Sequence, residues 1–263
     1  MIAETSDCQK DVPIGAPSLY NPPGEPNAAD AFMRLPREWL KECDDKHGKI
    51  CAATNDKTQL PTRLVHLQKW QPKIIDSATI DVSKGVRYIA FSHKWGKMPE
   101  DALTTKANLP ARNKVIPKNS IPPSFADAIA ITKALGCNYL WIDCLCINQG
   151  EDGDFAEQAV SMQAVFSNAY CVIAAASAGG AVHGFLKRDI ESHPLRAVKV
   201  GSVYFSAVTN DFSRDVLQSP LNTRGWVLQE RALARRTIFF TANQMYWECG
   251  DGIRCETLRK LKQ

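Results

Sequence analysis

The sequence predicts an α/β fold in which a parallel β-sheet is flanked by helices. Between residues 86 and 176, the patterns alternate as strand, helix, strand, helix, strand. The strands are apolar along their whole length, which is typical of parallel strands covered on both faces. The segments between them repeat apolar residues every three or four positions, as amphipathic helices do. We therefore expect right-handed crossovers between the parallel strands.

Ahead of this core, the chain divides into a leader and a helical extension. Residues 1–30 are rich in proline, asparagine and aspartate, and they predict a partly ordered leader. Residues 31–48 carry a helical apolar pattern and predict an N-terminal helical extension. Residues 60–67 predict a short strand. We interpret residues 31–263 as a single domain, whose core covers residues 60–255 approximately.

The first crossover is predicted from its strands and from the end of its helix. A strand at residues 86–92 leads into a loop at 97–123, which contains several prolines. The helix begins at Ser124 and stops at Gly136, because glycine is favoured where helices end. The second strand follows at residues 138–142, and the polar segment after it is predicted to be a loop.

The second crossover is followed by a strand-rich C-terminal extension. A helix is predicted from Asp154, and a third strand at residues 170–176. The remainder of the chain is less regular and predicts short strands with one helix among them. These elements are a strand at 203–208, a helix at 226–234, and strands at 236–241 and 245–248.

Composition and charge exclude several classes of protein. The 263 residues carry a net charge of only +4, and the basic residues are scattered, so no arm for nucleic acid is predicted. No stretch reaches the roughly 18 continuous apolar residues that a membrane-spanning helix needs. Nine cysteines without a secretion signal indicate reduced thiols and a cytoplasmic protein.

Candidate binding residues follow the first two predicted core strands. Ligands of open α/β sheets bind at the carboxyl ends of the strands. Here those ends carry the segments SHKWG (92–96) and DCLCINQ (143–149). Their candidate substrate-binding residues are His93, Trp95, Asp143 and Asn148. Each has a structural alternative: a solvated histidine, a tryptophan covering the core edge, or a turn or cap aspartate.

A third segment, TRGWVLQERAL (223–233), supplies a candidate catalytic carboxylate. Helical spacing places Trp226 and Glu230 on one face, so the carboxylate is expected beside an aromatic ring. Such a setting raises a carboxyl pKa and suits acid–base or charge-stabilising work. The alternative is a surface glutamate that pairs with Arg231 or Arg235. The rival carboxylate Glu157 is interpreted as structural, in a capping box with Asp154.

Metal and phosphate motifs are weak in this sequence. Cys43, His47 and Cys51 form a C-x3-H-x3-C series, but a structural zinc needs four ligands and no fourth lies nearby in sequence. We therefore predict no metal site. Cys146 lies near the candidate site, although no pairing with a histidine follows from the sequence. The glycine-rich loops that cradle phosphates are also missing from the sequence.

The three candidate segments resemble those of the fungal heterokaryon incompatibility (HET) domain family. The matching blocks are YIAFSHKWG (88–96), YLWIDCLCINQ (139–149) with its continuation through residue 177, and RGWVLQERALARRTIFFTANQMYWEC (224–249). The resemblance covers approximately residues 35–255. It implies a role in self/non-self recognition between fungal strains and, on triggering, programmed cell death.

That family is similar to Toll/interleukin-receptor (TIR) domains, which implies a flavodoxin-like parallel sheet. Many TIR domains cleave NAD at the nicotinamide–ribose bond through a glutamate in W-x-x-x-E. Residues Trp226–Glu230 match this W-x-x-x-E motif, so the resemblance implies that Glu230 is the catalytic glutamate. It also implies a stacking role for Trp95 or Trp226, and a pyrophosphate contact for Arg224. NAD is then the expected substrate, with no resident cofactor.

A non-catalytic alternative follows from the same resemblance. TIR-like domains also act by assembling with themselves or by recruiting a partner. On this alternative the chain is a death-signalling module without catalytic activity. It acts by forming a homo-oligomer or by binding an incompatibility partner protein. A regulator that binds NAD without turning it over is a third hypothesis.

Overall fold

The structure is a computed structural model that describes most of the chain from residue 28 onward. The described residues are 28–51, 60–67, 71–186, 198–200, 203–205, 211–223, 225, 227–256 and 260–261. All but the last three residues of the predicted leader lie outside these ranges. The predicted helical extension begins at Ala28, slightly earlier than its apolar pattern indicates.

The described strands form one large sheet and one small one. The large sheet has nine strands among the described residues. They are β1 (Arg63–His66), β2 (Lys73–Asp76), β3 (Tyr88–Ser92), β4 (Tyr139–Trp141), β5 (Cys171–Ala174), β8 (Arg236–Phe240), β9 (Met245–Cys249), β10 (Gly252–Cys255) and β11 (Lys260–Leu261). Between β5 and β8, the strands β6 (Val198–Val200) and β7 (Val203–Phe205) pair only with each other.

The described α-helices are of two kinds, long covering helices and single turns. The longer ones are α1 (Ala28–Lys46), α4 (Pro123–Ala134), α6 (Phe155–Asn168) and α7 (Val227–Leu233). The short ones are α2 (Gly48–Cys51), α3 (Leu109–Arg112) and α5 (Asp143–Cys146). Within the described ranges, no helix combines the length and the apolar character needed to cross a membrane.

Four parallel strands form the centre of the large sheet. Its order is β11-β10-β9-β8-β5-β3-β4-β1-β2, and β8, β5, β3 and β4 run parallel. Numbered along the chain, the parallel strands lie in the order 2-1-3-4, with the change of direction at β3. All five residues of β3 are buried, because neighbouring strands and covering layers enclose it.

The crossovers place helices on both faces of this sheet. The connection through α4 runs from β3 to β4, whereas α6 and α7 lead back in the opposite direction. Right-handed crossovers in opposite directions put their helices on opposite faces. In agreement, α1 contacts α4 through Arg37 Nε, which donates to the carbonyl of Ala134 (2.7 Å). Helices α6 and α7 pack against each other.

The alternation of strands and helices is confirmed, but the sheet is not wholly parallel. Antiparallel strands extend it at both edges: β1 and β2 beyond β4, and β9 to β11 beyond β8. The elements β2, β10 and α5 were not predicted, because segments of four residues are too short to show a period; α5 occupies the start of the segment predicted to be a loop. The structure is thus a mixed α/β fold.

Candidate functional site

A cavity of about 350 Å³ lies at the carboxyl ends of β3 and β4. Trp95, Asp143, Gln149 and Glu230 contribute its polar side chains. Its apolar wall comes from the ends of β3 and β4, the segment after α5 and one side of α6, namely Phe91, Trp141, Ile147, Phe155, Ala159, Met162 and Phe166. Trp95, Asp143 and Glu230, from three distant segments, therefore meet in one cleft.

Glu230 is a buried carboxylate at the end of β3. It lies on α7 with 8% of its surface exposed, and Ser92 Oγ donates a hydrogen bond to its Oε2. The predicted alternative of a surface glutamate is wrong. Arg231 instead pairs with both carboxylate oxygens of Glu248 (2.6 and 2.7 Å). Arg235 donates to backbone carbonyls, including that of Ser167 (2.8 Å).

Trp95 and Asp143 are joined by a direct hydrogen bond. The indole Nε1 of Trp95 donates to Asp143 Oδ2 at 2.7 Å. The other oxygen, Oδ1, accepts from the backbone amide of Cys144 at 2.7 Å, at the start of α5. Asp143 is the first residue of α5 but not its cap, which is Ile142, and its carboxylate orients an aromatic ring. This bond fixes the indole at the wall of the cavity.

His93 is buried on the other face of the sheet from Glu230. Its ring stacks on Phe91 (4.7 Å between centroids) and meets the edge of Phe125 on α4 (5.2 Å). Because strand side chains alternate, Phe91 and His93 contact α4 while Ser92 between them contacts Glu230. The alternative of a solvated histidine is wrong, since His93 is 1% exposed. His93 is not among the residues that line the cavity.

Asn148 contributes to the loop between α5 and α6. Its backbone amide donates to Asp154 Oδ1 at 2.8 Å, and its side chain is also directed at that carboxylate. Asp154 pairs in addition with Arg63 of β1, so the predicted capping box with Glu157 does not form. Asn148 is therefore placed to hold this loop, and its neighbour Gln149 faces the cavity.

Two candidate residues, Arg224 and Trp226, lie outside the described residues. The pyrophosphate contact of Arg224 and the stacking of Trp226 on a ring of NAD therefore stay predictions. Glu230, in the same segment, belongs to α7 and is described.

Ser92 and the apolar wall were not among the predicted site residues. Ser92 ends the buried strand β3, a position that the carboxyl-end rule already singles out. The apolar stripe of α6 was predicted only as one face of an amphipathic helix. In the structure, part of this stripe faces the cavity, and Phe155 at its start is 48% exposed.

Thiol and metal chemistry at the cavity is limited by burial. Cys144 Sγ lies 3.8 Å from His93 Nε2, but the thiol is completely buried. Burial raises the pKa of the Cys146 thiol to about 12, so it is protonated at neutral pH and is a poor nucleophile. The ligand atoms of His93, Asp143 and Cys144 lie within 4.8 Å of one another, which is one ligand short of a structural zinc site.

Together, the fold and cavity define a mixed α/β domain with a cavity at the carboxyl ends of parallel strands. The family model for the heterokaryon incompatibility protein (HET) matches residues 88–230, from the start of β3 to Glu230. This match covers more than half of the chain, and the chain belongs to the HET family. Membership implies a heterokaryon incompatibility function in fungi. No curated protein and no solved structure gave a significant match.

Proposed function

We propose that this HET domain hydrolyses NAD at the nicotinamide–ribose bond as part of an incompatibility response that ends in cell death. The observation that carries the proposal is the buried carboxylate of Glu230 in a cavity that Trp95 also lines. The 2-1-3-4 order of the parallel strands supports a flavodoxin-like, TIR-like core. In that order, ligands bind at the switch point between the first and third parallel strands, which here are β3 and β5, and the cavity lies next to it at the ends of β3 and β4.

The reaction develops positive charge on the ribose. As the C1′–N bond breaks, nicotinamide leaves with the bonding electrons as a neutral molecule, and the ribose becomes oxocarbenium-like. Water then adds to C1′ and loses a proton, so the products are ADP-ribose, nicotinamide and one proton. A carboxylate held close to C1′ stabilises this charge or accepts the proton. The hydrogen bond from Ser92 orients Glu230 for this role.

The aromatic wall suits the nicotinamide end of the substrate. A positively charged pyridinium ring stacks favourably on an indole, and Asp143 holds the Trp95 ring in one orientation. At about 350 Å³, the cavity is at the lower end of the usual range for ligand sites. We therefore place the nicotinamide riboside portion inside the cavity and the adenine portion outside.

The test measures nicotinamide release from NAD by the purified full chain. Three proteins are compared: wild type, Glu230→Gln and Glu157→Gln. Glu157 is the matched control, because it is an exposed carboxylate on the neighbouring helix α6. Glu230→Gln keeps the size of the side chain and its ability to accept from Ser92, but it removes the charge.

We expect wild type and Glu157→Gln to release nicotinamide at the same rate. Glu230→Gln should be slower by about 100-fold or more, the usual contribution of an acid–base group. Equal rates for Glu230→Gln and wild type would remove Glu230 from the mechanism. A folded wild-type chain that releases no nicotinamide at low or at high protein concentration would refute the hydrolase proposal.

A second candidate function is favoured by exposed apolar side chains on α6 and α7. Val160 on α6 is 86% exposed, and Leu228 on α7 is 73% exposed. Phe155, at the rim of the cavity, adds to this apolar surface. Exposed apolar surface of this kind marks interaction sites. It supports a module that assembles with itself or recruits a partner through these two helices.

A further inference from the structure

Four metal-binding side chains meet at a second location, built from α1, α2 and β9. They are Cys43, His47, Cys51 and Cys249, whose ligand atoms all lie within 4.8 Å of one another. All four residues are at most 9% exposed. Three of them form the C-x3-H-x3-C series of the sequence, and the fold adds the fourth.

Local helical structure aligns the first three residues. The backbone amide of His47 donates to the carbonyl of Cys43 (3.1 Å), and that of Cys51 donates to His47 (2.8 Å). These are bonds between residues four apart, so the chain keeps its helical path where α1 passes into α2. Residues at this spacing lie on one face of a helix. Three ligands are therefore stacked before any distant contact forms.

The fourth residue arrives from the opposite end of the chain. Cys249 is the last residue of β9 and lies 202 positions after His47. Its Sγ is 3.6 Å from His47 Nδ1. In tetrahedral zinc, Zn–S and Zn–N bonds of about 2.3 and 2.0 Å separate these two atoms by about 3.6 Å. We propose that Cys43, His47, Cys51 and Cys249 bind a structural Zn²⁺ ion.

The surroundings of the cluster fit a thiolate-rich zinc site. The carboxylate of Asp251 lies 3.6 Å from His47 Nε2, the ring nitrogen that faces away from the proposed ion. Histidines that bind zinc usually have a carboxylate or carbonyl in that position. The backbone amide of Asp251 donates to Cys249 Sγ at 3.4 Å, which stabilises a thiolate. Gly250 allows this turn to approach α2, because a Cβ there would lie 2.2 Å from Ile50.

The charge of the site is partly balanced by a neighbouring arginine. Three thiolates and Zn²⁺ would carry a net charge of −1. The guanidinium of Arg235 donates to the carbonyl of Cys51 at 3.1 Å, which brings a positive charge to the edge of the cluster.

Four protein ligands complete a tetrahedral ion, so this site would have a structural role. It connects the N-terminal helices to the antiparallel edge of the sheet, on elements that do not line the cavity. The site is therefore independent of the proposed NAD chemistry, and either proposal can fail without the other.

The experiment measures metal in the full chain, purified with reductant and without a polyhistidine tag. Inductively coupled plasma mass spectrometry measures the moles of zinc per mole of chain in wild type, Cys249→Ser, His47→Cys and Cys137→Ser. His47→Cys converts the site to four cysteines, which also bind zinc. Cys137→Ser is the matched control, because it removes another buried thiol from outside the cluster.

We expect about one zinc per chain in wild type, His47→Cys and Cys137→Ser. Cys249→Ser should retain less than about a tenth of that amount. Since Cys249→Ser could fail to fold, the metal bound to wild type is also replaced by Co²⁺. A tetrahedral thiolate site then shows strong sulfur-to-cobalt charge-transfer absorption.

Three results would overturn the proposal. The first is a folded wild-type chain that contains no zinc and gives no cobalt–thiolate absorption. The second is full zinc content in a folded Cys249→Ser variant. The third is a disulfide between cluster cysteines in the chain purified without reductant from the cytosol of the expression host.

Discussion

At the scale of single residues, the alternation of β3 decides which side chain contacts Glu230. Ser92 faces Glu230, whereas Phe91 and His93 contact Phe125 on the opposite face. His93 was a candidate by residue type, because imidazole often serves in catalysis. Its place one residue after Ser92 directs it into the aromatic layer beneath α4. Of the two carboxylates that line the cavity, Glu230 is accordingly the one oriented by a serine.

The hydrogen bond between Trp95 and Asp143 should be energetically significant. Its donor–acceptor distance is 2.7 Å, and the Asp143 side chain is only 16% exposed. In a double-mutant cycle of Trp95→Phe and Asp143→Ala, we expect a coupling free energy of about 1 kcal/mol. Urea unfolding of wild type, both single variants and the double variant measures it.

The control cycle combines Trp95→Phe with Glu42→Ala. The carboxylate of Glu42 pairs with Arg254 on β10 and not with the indole. The effects of this second pair on the free energy of unfolding should add within about 0.5 kcal/mol. A coupling no larger in the Asp143 cycle than in this control would show that the bond does not stabilise the fold.

At the scale of elements, a close approach of two loops positions Trp95. Gly96 has a φ of +59°, and a Cβ at this position would lie 2.9 Å from the Cα of Gly180. The amide of Ala181 donates to the carbonyl of Trp95 at 3.1 Å. The loop after β3 is thus packed against the loop after β5, and only glycine fits the contact. This packing carries the indole toward Asp143.

The β1–β2 hairpin contains a titrating histidine. His66 lies opposite Lys73 and stacks on Tyr139 of β4 (5.1 Å between centroids). Burial, and secondarily the charge of Lys73, lower the pKa of His66 below its ordinary value of about 6.5. The unfolded chain then binds the proton more readily than the folded one. Stability from this group is complete above the unfolded pKa and is lost as pH falls.

We therefore expect wild type to lose more stability than His66→Phe between pH 7 and about 5. Phenylalanine keeps a ring against Tyr139 but cannot take up a proton. Chemical unfolding of both proteins at several pH values measures the difference, and titrating groups elsewhere contribute equally to both. Parallel curves for the two proteins would show that His66 does not titrate differently on folding.

At the scale of the whole molecule, the exposed residues of α6 and α7 give a test of self-association. If these helices form an interface between copies of the chain, wild type should have at least twice the 29.1 kDa mass of the monomer. Val160→Glu and Leu228→Glu should shift it to the monomer, because a buried unpaired charge is costly. Size-exclusion chromatography with light scattering measures the mass.

Val82→Glu is the control for this experiment. Val82 is 52% exposed and lies in the turn before β3, away from α6 and α7 along the chain. Its substitution should leave the mass unchanged. A wild-type chain that is monomeric at every concentration tested would exclude these helices as a homo-oligomer interface.

Local patterns in the sequence were enough to predict the alternation of strands and helices and the edge of the sheet where the cavity lies. Buried strands and amphipathic helices have local periods, so they can be recognised within a window of ten or so residues. The carboxyl-end rule then placed Trp95 and Asp143 at one edge, because both follow parallel strands. The motifs around them also carried the family resemblance.

The partners of these residues depend on the folded arrangement of the chain and could not be predicted. Ser92 meets Glu230 across 138 positions, and Cys249 meets His47 across 202. Asp127 on α4 accepts from the amides of Phe185 and Leu186, 58 and 59 positions away. Such contacts depend on strand order, on the face each side chain occupies and on how helices cross the sheet. None of these has a local period, so the serine that bonds Glu230 and the fourth side chain of the proposed zinc site become visible only when the chain is folded.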